Sequence, residues 1–127
     1  MVRNKLLVVD DEASLVELCQ IILEDAGYVV RGAYSGEQAL RLVEEEMPDL
    51  VLLDVMMPGM SGIDVCRELR ARYGHSLRIV MYTADEREAT HNKSLDAGAD
   101  GILTKEVSIY DIPSHIVRYL IPSESPG

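Results

Sequence analysis

The sequence predicts an α/β fold with a doubly wound parallel sheet, and two observations support this. Short apolar runs such as residues 6–9 and 50–53 are typical of strands buried on both faces. Segments with helical spacing of apolar residues lie between such runs, so strand and helix alternate five times. Short connections between alternating elements favour parallel strands, right-handed crossovers and helices on both faces of the sheet.

Five strands are predicted, at residues 6–9, 28–33, 50–53, 78–82 and 102–104. Ser14, Ser35 and Ser61 are of a residue type that caps helices, so we expect the first three helices to begin there. Residues 85–97 are predicted as the fourth helix. Residues 113–120 are predicted as the fifth, since Pro113 is tolerated in a first helical turn. The apolar positions of the first helix that are predicted to face the sheet are Leu15, Leu18, Ile22 and Ala26.

Size and composition limit the classes of protein that fit. The chain has 127 residues, and we expect one domain over residues 1–121 followed by a disordered tail at 122–127. Its net charge of −10, without a basic stripe, argues against direct binding of nucleic acid. It lacks a signal peptide's apolar core and any segment of membrane-spanning length. Cys19 and Cys66 are predicted to be buried free thiols in a reducing compartment, so we expect a cytoplasmic protein without membrane contact.

Three carboxylates end two of the predicted strands. Asp10 and Asp11 follow the first strand, and Asp54 follows the third. The carboxyl ends of parallel strands meet at one edge of a sheet, where open α/β folds bind their ligands. Two unit charges about 4 Å apart repel by roughly 4 kcal/mol at an effective dielectric of 20. The sequence therefore predicts raised carboxyl pKa values, a bound hard cation, or help from the ammonium group of Lys105, which ends the fifth strand in the same manner.

Four segments, in this order and spacing, resemble the receiver domain of two-component response regulators over roughly the whole chain. They are residues 8–12 (VVDDE), 53–62 (LDVMMPGMSG), 82–84 (YTA) and 97–105 (AGADGILTK). The resemblance implies a flavodoxin-like five-stranded sheet of strand order 2-1-3-4-5 with five helices.

The resemblance also implies a role for each residue at the predicted edge. Asp54 would be the phosphoacceptor, whose carboxylate attacks phosphorus to form an aspartyl phosphate. Mg²⁺ prefers oxygen ligands and keeps several waters, so a partial set of protein ligands suffices. The implied metal ligands are the carboxylates of Asp10, Asp11 and Asp54 and the backbone carbonyl of Met56. The groups implied to bind the phosphoryl group and assist its transfer are Asp54, the Thr83 hydroxyl, the Ala84 N–H and Lys105.

The chain departs from the family at two positions. Ile102 stands where many receivers have Tyr or Phe, so we expect a conformational switch that is muted or runs through the backbone after Thr83. Glu106 stands where the family usually has Pro, often with a cis bond. Because a non-proline cis peptide costs roughly 2.5–4 kcal/mol, we predict a trans Lys105–Glu106 bond or a strained cis one. Either could displace the Lys105 amine.

The leading interpretation is a signalling module, not an enzyme that turns over a metabolite. It would accept a phosphoryl group on Asp54 from a histidine kinase or a phosphotransfer protein, and would catalyse its own Mg²⁺-dependent phosphorylation and dephosphorylation. No DNA-binding or catalytic output domain follows in this sequence, so we expect it to act on a downstream protein target through contacts or as a relay, unless the chain is a fragment of a longer regulator. The fourth helix, fifth strand and fifth helix would form the output surface, on which a homodimer could also form. Its apolar contributors would be Ile109, Tyr110, Ile112 and Tyr119.

Three alternatives are open. A phosphorylation-independent docking domain with a receiver fold is compatible with Ile102 and Glu106. An aspartate-nucleophile phosphohydrolase would place a second acid two residues after the nucleophile, where this chain has Met56. A dinucleotide or flavin binder would need a glycine-rich turn after the first strand, where this chain has Asp-Asp-Glu.

Overall fold

The computed structural model describes residues 4–121, so the tail predicted at residues 122–127 lies outside the described residues. The strands are β1 (Lys5–Val9), β2 (Val29–Ala33), β3 (Leu50–Leu53), β4 (Arg78–Thr83) and β5 (Gly101–Thr104). The helices are α1 (Ala13–Asp25), α2 (Gly36–Glu45), α3 (Gly62–Tyr73), α4 (Glu88–Asp96) and α5 (Ile112–Leu120), with a short 3-10 turn at Ile109–Asp111.

The five strands form one parallel sheet in the order β2-β1-β3-β4-β5, which confirms the predicted fold class and strand order. The order reverses between β1 and β3, because the chain first adds β2 on one side of β1 and then adds the other strands on its opposite side. In open α/β sheets this reversal leaves a crevice at the carboxyl ends of the strands.

Strand side chains alternate between two apolar layers. One layer lies between the sheet and α2, α3 and α4, and it contains Leu7, Val51 and Ile79. The other lies between the sheet and α1 and α5, and it contains Leu6, Leu52 and Val80. Because both faces are covered, the strands consist of continuous apolar runs instead of alternating polar and apolar residues.

The helix starts agree with prediction for α2 and α3 but not for α1. The Ser35 hydroxyl accepts the Gln38 N–H, and Ser61 forms a capping box with Asp64. The prediction for Ser14 is wrong: α1 begins at Ala13, and Glu12 occupies the cap position without a side-chain bond.

The face that α1 turns to the sheet is also different from the prediction. Val16, Cys19 and Leu23 are buried, whereas Leu18 is 38% exposed. Both choices have helical spacing, but the buried set is one residue further along the chain than Leu15, Leu18 and Ile22. A helix with apolar residues on adjacent stripes does not specify from spacing alone which stripe is buried.

Two further predictions need correction. The fourth helix begins at Glu88 and not at Asp85, because the Asp85 carboxylate holds the preceding residues in a loop by accepting bonds from Arg87 and Thr90. Ile112, predicted as a surface residue, is fully buried in the layer under α5. Among the apolar residues predicted for that surface, only Tyr110 is largely exposed, at 70%.

Cys19 and Cys66 are buried free thiols, as predicted. Burial raises the pKa of each to about 11, so both are protonated at neutral pH. Among residues 4–121, the helices are all too short or too polar to cross a lipid bilayer.

Candidate metal and phosphorylation site

The register of the sheet brings two carboxylates side by side. Val9 of β1 pairs with Leu53 of β3, so the residues that follow them, Asp10 and Asp54, leave the sheet at the same level. The Asp54 N–H donates to the Val9 carbonyl at 3.0 Å and continues the ladder by one bond. Asp11 adds a third carboxylate, and one oxygen from each of the three lies within 4.8 Å of the others.

The three acids differ in exposure. Asp10 and Asp54 are buried, at 4% and 5% exposed, and Asp11 is exposed to solvent. The cluster is therefore recessed but open on the Asp11 side. A set of oxygen donors converging from two strand ends, with one side left open for water, fits a hard divalent cation such as Mg²⁺.

Lys105 reaches this cluster from β5. Thr83 of β4 pairs with Thr104, and the Lys105 N–H donates to the Thr83 carbonyl at 2.8 Å. The Lys105 ammonium then lies 2.9 Å from Asp10 Oδ2 and 3.8 Å from Asp54 Oδ1. The ammonium thus bridges the two buried carboxylates, with the shorter bond to Asp10.

The pKa values at the site reflect closely spaced carboxylates and one neighbouring ammonium group. Burial and the charge of Asp10 raise the pKa of Asp54 from 3.8 to about 6, although Lys105 acts in the opposite direction. Burial alone would lower the pKa of Lys105, but the bond to Asp10 and the charge of Asp54 raise it. Lys105 therefore stays protonated at neutral pH, and Asp54 titrates unusually close to it.

Met56 approaches Asp54 through its backbone. Its N–H bonds to the Asp54 carboxylate and favours the ionised form, while its side chain is 59% exposed. That the Met56 carbonyl ligates a metal stays a prediction.

Thr83 and Ala84 lie beside the acidic cluster at the end of β4. Thr83 is fully buried, and its hydroxyl accepts the Asp85 N–H at 3.1 Å. Ala84 is exposed and lines a cleft of about 260 Å³ with Glu86, Lys105 and Glu106. The structure thus brings all the predicted site residues to one edge of the sheet, with a cleft beside the lysine.

The two departures from the family pattern lie at this edge. No peptide bond among residues 4–121 is cis, so the Lys105–Glu106 bond is trans, the first of the two predicted alternatives. The Glu106 carboxyl group is within hydrogen-bonding reach of Glu86 and raises the pKa of Glu86. Ile102 is half-buried against the layer under α3, and its effect on a switch stays a prediction.

Two residues of functional interest lie inside the matched segments, but the sequence implies no role for either of them. Gly62 lies so close to the Asp54 carbonyl that a Cβ at this position would overlap it. Tyr82 lies inside the matched segment YTA, yet the motif assigns no role to it. Its hydroxyl donates to the Val107 carbonyl at 2.7 Å, a contact between residues far apart in the chain.

The comparisons with known proteins agree with this geometry. Residues 6–117 match the family described as the response regulator receiver domain. The chain is similar to the solved structure of a CheY-like receiver domain protein from Methanospirillum hungatei JF-1, at 28% identity over 94% of each chain with a TM-score of 0.88. It is also similar to the chemotaxis protein CheY4 of Vibrio cholerae, at 28% identity over 94% of this chain and 100% of that chain with a TM-score of 0.88.

A third similar structure is the signal receiver domain of a signal transduction histidine kinase from Syntrophus aciditrophicus. The identity is 29% over 98% of this chain and 95% of that chain, with a TM-score of 0.85. The match over most of the chain and the shared strand order confirm the resemblance seen in the sequence. The chain belongs to the response regulator receiver domain family of two-component signalling systems.

Proposed function

We propose that this receiver is a phosphoacceptor that takes a phosphoryl group on Asp54 from a histidine kinase or a phosphotransfer protein. The observation that carries the proposal is the convergence of Asp10, Asp11 and Asp54 within 4.8 Å, with the Lys105 ammonium against two of them. A domain that only docks has no need to bury two carboxylates together, because crowding them costs free energy.

The transfer replaces one bond to phosphorus with another. An oxygen of the Asp54 carboxylate forms a bond to phosphorus, and the bond from phosphorus to the donor breaks. The electron pair of the broken bond leaves with the donor. Acetyl phosphate releases acetate, and phosphohistidine releases an imidazole, which takes up a proton. Asp54 must be ionised to attack, so the transfer requires loss of the proton that burial favours.

Metal binding belongs to the same proposal. Asp10, Asp11, Asp54 and the Met56 carbonyl would hold Mg²⁺, whose charge would neutralise the phosphoryl oxygens during transfer. The Lys105 ammonium would then exchange part of its contact with Asp10 for a phosphoryl oxygen. The Thr83 hydroxyl and the Ala84 N–H would donate to the remaining oxygens.

The signal would leave through protein contacts with a downstream target, in the cytoplasm where its phosphodonor would be found. We propose that the surface of α4, β5 and α5 is the output face, and that a homodimer would form on the same surface. Leu95 on α4, which is 52% exposed, and Val117 on α5, which is 44% exposed, are apolar residues available there.

The test is chemical modification followed by intact mass. Wild-type protein is incubated with Mg²⁺ and either acetyl phosphate or phosphoimidazole, which presents the nitrogen–phosphorus bond of a phosphohistidine. We expect the mass of one phosphoryl group to be added to wild type, and no addition to Asp54→Asn. The matched control is Asp25→Asn, an exposed aspartate at the end of α1, which should be modified like wild type.

The proposal fails if wild type gains no mass from either donor, and the docking alternative would then be favoured. It also fails if Asp54→Asn is modified as fast as wild type, because the acceptor would then lie elsewhere. Turnover of a generic phosphate ester by the unmodified protein would favour the phosphohydrolase alternative.

A further inference from the structure

The turn that carries Lys105 is held to the sheet by Tyr82. The turn follows β5 and is closed by the Val107 N–H, which donates to the Thr104 carbonyl at 3.0 Å. Tyr82 comes from the neighbouring strand β4 and is only 6% exposed. Its hydroxyl donates to the Val107 carbonyl at 2.7 Å and so ties the far end of the turn to the interior.

The same side chain also supports the lysine. The Lys105 ammonium lies 5.8 Å from the centroid of the Tyr82 ring, within the range of a cation–π contact. The ring packs in the apolar layer with Leu103 and Ile112, which fixes its position. Tyr82 thus contacts both ends of the segment: its ring is under the Lys105 side chain, and its hydroxyl is on the backbone two residues later.

The turn gains no support from its own acidic residue, Glu106. Glu106 projects from its centre toward Glu86 of the loop after β4, and the two carboxyl groups are within hydrogen-bonding reach. When both are ionised they repel, so this contact does not hold the Lys105 turn to β4. Residue 106 is not proline, so the ring that would restrict the backbone there is also missing. A separate contact is needed to keep the turn in place.

We propose that Tyr82 is the positioning residue for Lys105, and that it holds the ammonium against Asp10 and Asp54 in place of a restricted backbone at residue 106. The effect on phosphorylation rests on the proposed function, whereas the effect on the position of Lys105 does not. The test therefore has one arm of each kind.

The first arm measures the position of Lys105 directly, without Mg²⁺ or phosphodonor. The protein is labelled with ¹³C at the ε carbon of lysine, which gives three signals, from Lys5, Lys93 and Lys105. We expect Lys105 to show a ring-current shift that Tyr82→Phe reduces, because this variant keeps the ring but loses the hydroxyl that holds the turn. The signals of Lys5 and Lys93 should stay unchanged and serve as internal controls for folding.

The second arm measures phosphorylation of Asp54 by acetyl phosphate together with Mg²⁺ affinity. Loss of one hydrogen bond in Tyr82→Phe should lower the rate at saturating donor about fivefold. Loss of bond and ring in Tyr82→Leu should lower it about tenfold. The Mg²⁺ affinity of both variants should not fall below that of wild type, because β1 and β3 carry the three acids and displacing the ammonium removes a competing cation. A general loss of structure would weaken both quantities together. The matched control is Tyr28→Phe, a half-buried tyrosine in the same apolar layer, which should behave like wild type.

The outcomes separate the two claims. If the Lys105 signal is the same in Tyr82→Phe and wild type, and the rate is the same in both variants and wild type, the positioning role is overturned. If the Lys105 signal moves as expected but wild type is never phosphorylated, the positioning role stands and the proposed function is what fails. If Mg²⁺ affinity falls in parallel with the rate, Tyr82 supports the whole site and the specific role for Lys105 is overturned.

Discussion

In the proposed phosphotransfer Asp54 has to be ionised, yet its surroundings favour the neutral acid. Burial, followed by the charge of Asp10, raises its pKa from 3.8 to about 6. Between these values the unfolded chain has already lost the proton while the folded protein keeps it. Stability therefore falls as the pH rises through this window and levels off above it. Above this window the ionised Asp54 that the proposed function requires therefore lowers the free energy of unfolding.

This predicts that Asp54→Asn stabilises the protein without metal. Asparagine keeps the shape of the side chain and removes the charge. At pH 8 in EDTA we expect the free energy of unfolding to rise by up to about 3 kcal/mol, the equivalent of roughly two pKa units. At pH 4 the gain should fall below about 1 kcal/mol, since Asp54 is then neutral in the folded protein. Urea denaturation at the two pH values measures both quantities.

The exposed Asp25→Asn serves as the control, because it removes the same charge from the surface. Equal gains for the two variants would mean that net charge, and not burial at the site, sets the effect. A gain for Asp54→Asn that is larger at pH 4 than at pH 8 would contradict the direction of the pKa shift.

The positions of the acidic residues at the site could be predicted from the sequence, but the residues that hold them and Lys105 in place could not. Four residues could be predicted to converge, because they follow the ends of apolar strands and parallel strands end at one edge of the sheet. They are Asp10, Asp11, Asp54 and Lys105. Tyr82 could not, because its partner Val107 is 25 residues away and becomes a neighbour only once β4 and β5 are paired. In the sequence, a buried tyrosine with a distant carbonyl partner looks like any other strand residue.

The start of α3 is packed directly against the backbone of Asp54, the proposed phosphoacceptor. Gly62 is the first residue of α3, and its N–H donates to the Val55 carbonyl at 3.0 Å. A Cβ at Gly62 would overlap the Asp54 carbonyl and approach the Val55 Cα. Both atoms belong to the backbone, which cannot turn aside as a flexible side chain can. The helix and the strand end that carries Asp54 are thus fixed relative to each other.

We predict that Gly62→Ala destabilises the protein, although alanine is normally the better helix former by about 1 kcal/mol. The overlap should outweigh this gain and lower the free energy of unfolding by roughly 1–3 kcal/mol, as overpacking usually does. The matched control is Gly36→Ala, at the first residue of α2, where the added Cβ would meet the side chains of Val65 and Met60. Those side chains can move, so its cost should be smaller. Equal costs for the two variants would contradict the importance of the backbone contact.

The elements themselves were largely predictable, and the errors have local causes. Every strand and helix is present, because apolar runs and capping residues such as Ser35 and Ser61 mark them clearly. The start of α4 was not predictable from spacing. Aspartate is a residue type suited to a first helical turn, but the Asp85 carboxylate accepts hydrogen bonds from Arg87 and Thr90 that hold a loop. These bonds also hold the pKa of Asp85 below its usual range.

The whole molecule combines a strongly negative charge with a site that concentrates part of it. The net charge is −10, and three of the acids converge at one edge of the sheet. Added salt screens the general repulsion, whereas a divalent ion bound at the edge stabilises only the folded protein. The two effects can be distinguished, because only the second depends on the state of Asp54.

Mg²⁺ should therefore stabilise the protein in a pH-dependent manner. At a concentration one hundred times its dissociation constant at pH 8, Mg²⁺ should add about 2.7 kcal/mol to the free energy of unfolding. At pH 5 a proton on Asp54, whose pKa is about 6, competes with the ion. One competing proton weakens the apparent affinity about tenfold per pH unit below the pKa, so the same concentration should add only about 1.4 kcal/mol.

Urea denaturation with NaCl at matched ionic strength supplies the baseline, and Asp11→Asn should lose most of the increment at pH 8. An increment that is the same at both pH values, or that NaCl reproduces, would show that Mg²⁺ acts by screening and not at the three acids.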